Sequence, residues 1–174
     1  MAMFKKQIRF YGKHAEIMQK FCKNKGTEQD VSFIVSNNTG EDKNIYIFED
    51  RIHIYLVAGM LGIINKRSAP IDRSSSATST IMVEILDKQR ANLERMYHHM
   101  ILTENNELSA DAKIKDAFSL KKTDEQWEDE QNRLENYVRG GLEIIDSIFG
   151  GCHTYEDICN AFFEFRDSLV LTEE

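Results

Sequence analysis

Proline is almost missing from this chain: Pro70 is the single one in 174 residues. Because proline interrupts the helical hydrogen-bond ladder, its scarcity leaves long stretches free to be helical and leans the fold toward an all-α class. Cysteine is scarce as well. Cys22, Cys152 and Cys159 are an odd number in a chain large enough to bury a core without staples, so free thiols rather than a disulfide framework are expected. No apolar run is long enough to cross a bilayer, and the opening MAMFKKQIRF carries charge where a secretory signal needs its apolar stretch. A cytoplasmic protein with no membrane partner is therefore expected. Nucleotide cradles and most catalytic signatures are also missing: there is no GxxxxGK[ST], no GxGxxG after a strand, no HExxH and no GxSxG. CHTYEDIC brings Cys152, His153 and Cys159 close in sequence but lacks the second close pair of a structural zinc site, and DEQWEDE lacks the glycine and alternating ligands of a calcium loop. No metal, cofactor or catalytic residue is assigned.

What is present is helical periodicity. Ile17, Met18, Phe21 and Cys22 recur on one face of Tyr11 to Lys25, with lysines opposite and Gly26 as a stop. VSFIV and NIYIF flank the turn chemistry of NNTGED, which predicts a short β-hairpin near residues 31–48. From Ile52 to Ile64 the chain is apolar almost all round, with Glu49 and Asp50 before it and Lys66 and Arg67 after it, matching a helix dipole at both ends. SAPIDRSSSATS, residues 68–79, reads as a flexible linker. Beyond it, Thr78 or Ser79 is placed to cap a long helix from about Thr80 to Leu102, with Ile81, Ile85, Leu86, Leu93, Met96, Met100 and Ile101 inward. Ser109 caps a shorter helix, and Thr123 with Gln126 forms a capping box. A last helix from about Thr154 to Leu169 turns Ile158, Phe162, Phe165 and Leu169 inward. The sum is a single domain, 1–174, folded as an all-α bundle of five or six helices, with a hairpin.

Net charge is −7, yet residues 1–73 carry 12 Lys and Arg against 8 Asp and Glu while the remainder carries 10 against 21. That asymmetry suits self-association or assembly into a larger complex, and it offers phosphate a basic region. Lys5, Lys6, Arg9 and Lys13 precede and enter the first helix; Lys66, Arg67 and Arg73 flank the serine cluster. Together they form a candidate nucleic-acid contact, with serine hydroxyls at 74–76 as neutral donors. Histidine supplies the competing reading. His53 sits within the apolar helix, where a buried, hydrogen-bonded side chain is expected, and His53, His98 or His99, with carboxylates such as Glu94, is the acid or base of a small helical enzyme. A third reading is a protein adaptor without nucleic-acid contact.

Gly140 and Gly141 interrupt NYVRGGLEIIDSIFGG, where each glycine inside a helix costs about 1 kcal/mol relative to alanine. They mark a helix break, a close approach of another helix, or a backbone opened to phosphate beside Arg139. Apolar spacing resumes at once in Leu142, Ile144, Ile145 and Ile148, which favours one continuous, closely packed helix. IRFYGKHAEIMQKFCKNKGT, then RIHIYLVAGMLG, then YVRGGLEII resemble in layout the small E subunit of bacterial DNA phosphorothioation (Dnd) systems. The resemblance implies a compact, all-helical, self-associating accessory protein of a bacterial DNA-modification or defence system, implicated in DNA binding. By analogy Arg139 and Gly140 match that family's Arg-Gly element, and Lys5, Lys6, Arg9 and Lys13 its basic first-helix region.

Overall fold

Two helices carry the centre of the molecule. In the computed structural model, which describes residues 4–23, 33–36, 42–104, 108–118 and 122–170, α2 (Arg51–Ile64) lies along α6 (Asp124–Phe149). α2 forms because its run is apolar and free of proline, and it buries Ile52, Ile54, Tyr55, Ala58, Leu61 and Ile63. α6 runs unbroken through Gly140 and Gly141 and buries Trp127, Leu134, Val138, Leu142, Ile145 and Phe149. The continuous helix expected at the glycine pair is therefore the one that forms. Its reason is backbone contact: a Cβ on Gly141 would overlap the Ala58 carbonyl of α2, and one on Gly62 would overlap the Tyr137 carbonyl of α6. Missing side chains on both helices let the two backbones meet.

Around this pair the chain adds β1 (Ile8–Tyr11), α1 (Gly12–Phe21), β2 (Phe33–Ser36), β3 (Asp42–Ile45), β4 (Thr78–Ile81), α3 (Val83–Lys88), α4 (Arg90–Thr103), α5 (Ala110–Ala117) and α7 (Tyr155–Val170). The predicted hairpin is present as β2 and β3, antiparallel with Phe33 opposite Ile45. A second antiparallel ribbon was not foreseen: β1 pairs with β4, Ile8 opposite Ile81 and Tyr11 opposite Thr78. Along β1, Ile8 and Phe10 point into the core while Arg9 faces out, the period-2 pattern of a half-buried strand.

That ribbon accounts for two corrections. Thr78 and Ser79 lie in a strand and cap no helix, and the helix expected over 80–102 is two, α3 and α4, broken at Gln89. The bundle thus holds seven helices among the described residues. On α2 the flanking charges stand as read, with Asp50 at the N-cap and Lys66 and Arg67 past the last turn, and neither the first nor the last turn itself adds to the dipole match. α1 ends at Phe21, where Cys22 forms a bridge with Phe48; Gly26, its expected stop, lies outside the described residues. Ile85 is exposed, as is Phe162; Leu169's side chain also lies outside the described set.

The caps at the other helix starts form as read. Gln126 N–H donates to Thr123 Oγ1 at 3.2 Å and Thr123 N–H to Gln126 Oε1 at 2.8 Å, while Ala112 N–H donates to Ser109 Oγ. Lys122, just before α6, joins three elements by donating to Asp116, Glu130 and the Tyr97 hydroxyl at 2.7–2.9 Å.

Replacing Gly141 by alanine is expected to destabilise the protein by about 1–3 kcal/mol through overpacking, in spite of alanine's better helix propensity. Gly151→Ala, where a Cβ meets nothing within 4 Å, should stay within about 0.5 kcal/mol of the parent. Urea denaturation of both variants measures the difference.

Candidate nucleic-acid interface

The start of α1 is built by residues far away in sequence. Gly12 turns the chain from strand to helix at φ 55, a left-handed conformation that suits glycine, and its N–H donates to Ala77 O at 3.1 Å. The helix has no side-chain cap of its own. Instead Asp72, from the 68–79 segment, accepts the Lys13 N–H at 2.7 Å and the Ser74 hydroxyl at 2.7 Å. The Lys13 amide first, and Ser74 second, hold the Asp72 carboxyl down at about 2. A carboxylate at a helix N-terminus also meets the positive end of its dipole. Ser75 Oγ donates to Glu16 Oε1 at 2.5 Å, a second tie between this segment and α1.

Glu143 of α6 is the other junction. Lys13 Nζ reaches Oε1 at 2.7 Å, Arg67 Nη2 reaches Oε2 at 3.1 Å, and His14 Nε2 lies 3.3 Å from Oε1. Burial alone would raise the Glu143 carboxyl, but the donors from Lys13 and Arg67 outweigh it and bring it below its ordinary value. Two cations share one carboxylate here. With Glu16, Ile17, Lys20 and Asp146 they line an open groove of about 590 Å³.

The sequence-derived basic residues separate into three groups. Lys5 pairs with Asp124 at 2.9 Å and Lys6 with Glu128 at 3.8 Å, so this pair neutralises the acidic start of α6. Lys13, Arg67 and Arg73 gather around the β1–α1 turn, with the Arg73 guanidinium 5.5 Å from the centre of the Tyr11 ring, while Arg9 faces outward from β1 and Lys66 is exposed beside Arg67 after α2. Arg139 and Gly140 lie inside. Arg139 is 5% exposed, donates Nε to Ala69 O at 3.0 Å and Nη2 to Asn136 at 2.5 Å, and pairs with Glu135. Gly140 lies under the Arg67 carbonyl, which a Cβ would overlap.

Histidine placement differs from expectation. His53 is exposed rather than buried, because it falls on the outward side of α2 with Val57 and Ile64. His98 stacks on Phe118 at 4.4 Å while His99 faces a groove toward α2, so the neighbours diverge. The buried histidine is His14, 1% exposed. It stands at helical spacing with Ile17, Met18 and Phe21, and Glu143 is the one acid in the apolar run GGLEII; both signals are in the sequence. Among the described residues no group of three His, Cys, Asp or Glu is arranged to hold a metal ion. Burial pushes the Cys22 thiol up to about 12.

Burial lowers the His14 imidazole below its ordinary 6.5, with the hydrogen bond to Glu143 in partial opposition. The folded state then binds this proton less tightly than the unfolded chain does. Stability is complete above 6.5 and declines as pH falls through that value; the lowered Glu143 adds a further loss in more acid solution. Thermal unfolding across pH 7 to 5 should show this decline in the parent and a shallower one in His14→Gln, whose amide keeps a donor to Glu143. Equal slopes would contradict the assignment.

No curated protein and no solved structure matches this chain. A family model described as DNA sulphur modification system-associated protein 4 matches residues 27–173. The match agrees with the layout's resemblance to Dnd systems, and it begins after β1 and α1, so Lys5, Lys6, Arg9 and Lys13 precede the matched span. It takes in α2, α6, the 66–77 segment and Glu143. With most of its length covered, the chain belongs to the DNA sulphur modification system-associated protein 4 family.

Proposed function

We propose that this chain is a non-enzymatic accessory subunit of a bacterial DNA sulphur modification or defence complex, working in the cytoplasm and laying its β1–α1 face on the DNA backbone. The single observation that carries the reading is convergence. In a chain of net charge −7, Lys13, Arg67 and Arg73 come from three segments to the β1–α1 turn, with Arg9 outward on β1 and Lys66 exposed beside Arg67, so that five cations stand against the carboxylates of Glu143, Asp72 and Glu16. Lysine and arginine held this way bind phosphate without reading sequence. Ser76, exposed in the same segment as Arg73, adds a neutral donor, while the Ser74 and Ser75 hydroxyls are engaged by Asp72 and Glu16. Lys5 and Lys6 serve α6 and stand outside the contact, as do the buried Arg139 and Gly140. No helix among the described residues is long and apolar enough to cross a membrane.

A protein adaptor with no nucleic-acid contact is the competing reading, favoured by the exposed aromatic side chains of α7. Retention on duplex DNA at two salt concentrations separates them. With four phosphates neutralised, the logarithm of affinity should fall against the logarithm of salt with a slope of about −3.6. Arg9→Glu with Arg73→Glu, neither of which touches Glu143, should weaken binding at least tenfold and reduce the slope by about 2. Equal absence of retention for parent and variant at low salt would leave the adaptor.

A further inference from the structure

We infer that the β1–β4 ribbon reads DNA sequence from the major groove, with Arg9 taking the edge of a guanine. The inference rests on the DNA contact proposed above and adds to it: the cations at the β1–α1 turn hold phosphate, and the ribbon beside them discriminates between bases. Each strand alternates. Ile8, Phe10, Ser79 and Ile81 are each 1% exposed, and the opposite side of the ribbon carries Arg9 across from Thr80 and Tyr11 across from Thr78. All four outward side chains bear hydrogen-bonding groups, and none is a carboxylate. Arg9 and Thr78 are exposed, while Tyr11 and Thr80 are half-buried. The Arg9 guanidinium and the Thr78 and Thr80 hydroxyls have no hydrogen-bond or ion-pair partner among the described residues.

Positive charge borders this face. At its Tyr11–Thr78 end stand Arg73, 5.5 Å from the centre of the Tyr11 ring, and Lys13 in the first turn of α1. Beside β4, Arg51 donates to Thr80 O at 3.4 Å. The carboxylates at the turn are already engaged: Asp72 accepts the Lys13 N–H and the Ser74 hydroxyl, Glu16 accepts the Ser75 hydroxyl, and Glu143 holds Lys13 and Arg67. A surface built for phosphate alone gains from being cationic throughout. Here the middle is neutral apart from Arg9 and rich in donors and acceptors, which is what base edges require. Size selects the groove. Each strand has four residues, so the ribbon runs about 13 Å with its strands about 5 Å apart. A B-DNA major groove about 12 Å wide admits such a ribbon, and a minor groove about 6 Å wide does not. Arg9 carries the planar fork that meets O6 and N7 of guanine with two parallel hydrogen bonds, while threonine offers a hydroxyl to any base and a methyl to thymine. In the groove its charge remains within a Debye length of the phosphates, so Arg9 also enters the salt dependence.

The test uses the full chain and duplexes drawn from a random-sequence pool by repeated retention on it. The parent should enrich duplexes that share a guanine and bind them about tenfold or more tightly than scrambled duplexes of the same length. Replacing that guanine by 7-deazaguanine, which removes the N7 acceptor and leaves the backbone charge unchanged, should weaken the parent's binding about tenfold. Arg9→Lys keeps the charge and loses the fork. It should hold scrambled duplex within about twofold of the parent, bind the enriched duplex about tenfold more weakly, and be indifferent to the 7-deaza replacement. If circular dichroism shows Arg9→Lys unfolded, Thr80→Val takes its place, with a smaller loss of preference at unchanged affinity for scrambled duplex. A parent that binds every duplex equally overturns the inference and leaves the phosphate contact standing. A folded Arg9→Lys that keeps the full preference, or a 7-deaza duplex bound as tightly as the guanine one, overturns it as well. A parent that retains no duplex at low salt ends the DNA contact and this inference together.

Discussion

The approach of α2 to α6 is the constraint from which the rest of the arrangement follows. With no Cβ at Gly62 or Gly141, the two backbones meet at carbonyl distance, and the chain leaving α2 must then pass directly over α6. There it is held by hydrogen bonds on both sides of one residue: Ala69 N–H donates to Asn136 O at 2.9 Å, and Ala69 O accepts from Arg139 Nε at 3.0 Å. Arg139 is a buried strut for this crossing, and Glu135 offsets the burial of its charge. Because residue 69 is fixed on α6, Asp72 arrives at the first turn of α1, and Arg67 and Lys13 arrive at Glu143. A helix–helix contact thereby decides where the charges of a surface lie.

Charge separation along the sequence becomes partial separation in space. Lys5 and Lys6 are spent on the acidic beginning of α6, and Lys122 on Asp116 and Glu130, so these cations act as internal staples. The basic residues of the β1–α1 turn outnumber the carboxylates between them. Apolar surface is distributed in the same uneven way: α6 is covered by α1 and α2, whereas one side of α2 and one side of α7 are open. A subunit that works within an assembly has a use for both kinds of surface.

Much of this fold is legible in the sequence because the signals are local. The apolar run Ile52–Ile64, the capping box at Thr123 and the paired strands on either side of residues 37–41 each state their structure within a few residues, and the glycine pair states its close packing because apolar spacing continues past it. β1 and β4 are not legible. Each has four residues, too few for alternation to stand out, and each is a strand only because the other lies beside it, about 70 residues away in the chain. The helix expected from Thr80 starts late for that reason. His53 was hidden by its apolar neighbours, although its spacing to Val57 and Ile64 sets it on the open side of α2. Of the site, the basic residues are readable as a composition, but which of them converge depends on the crossing at Ala69, and nothing local announces that Arg139 is turned inward.

Amide hydrogen exchange at Ala69 and Gly12 probes that crossing most directly. Both N–H groups donate to backbone carbonyls across the 68–79 segment, to Asn136 O and Ala77 O. Protection at these two amides comparable to that within α2 is the result the account predicts. Exchange at the rate of an unstructured peptide, with α2 and α6 still protected, would mean that the segment is not held against α6 and that the basic residues are not brought together by the fold.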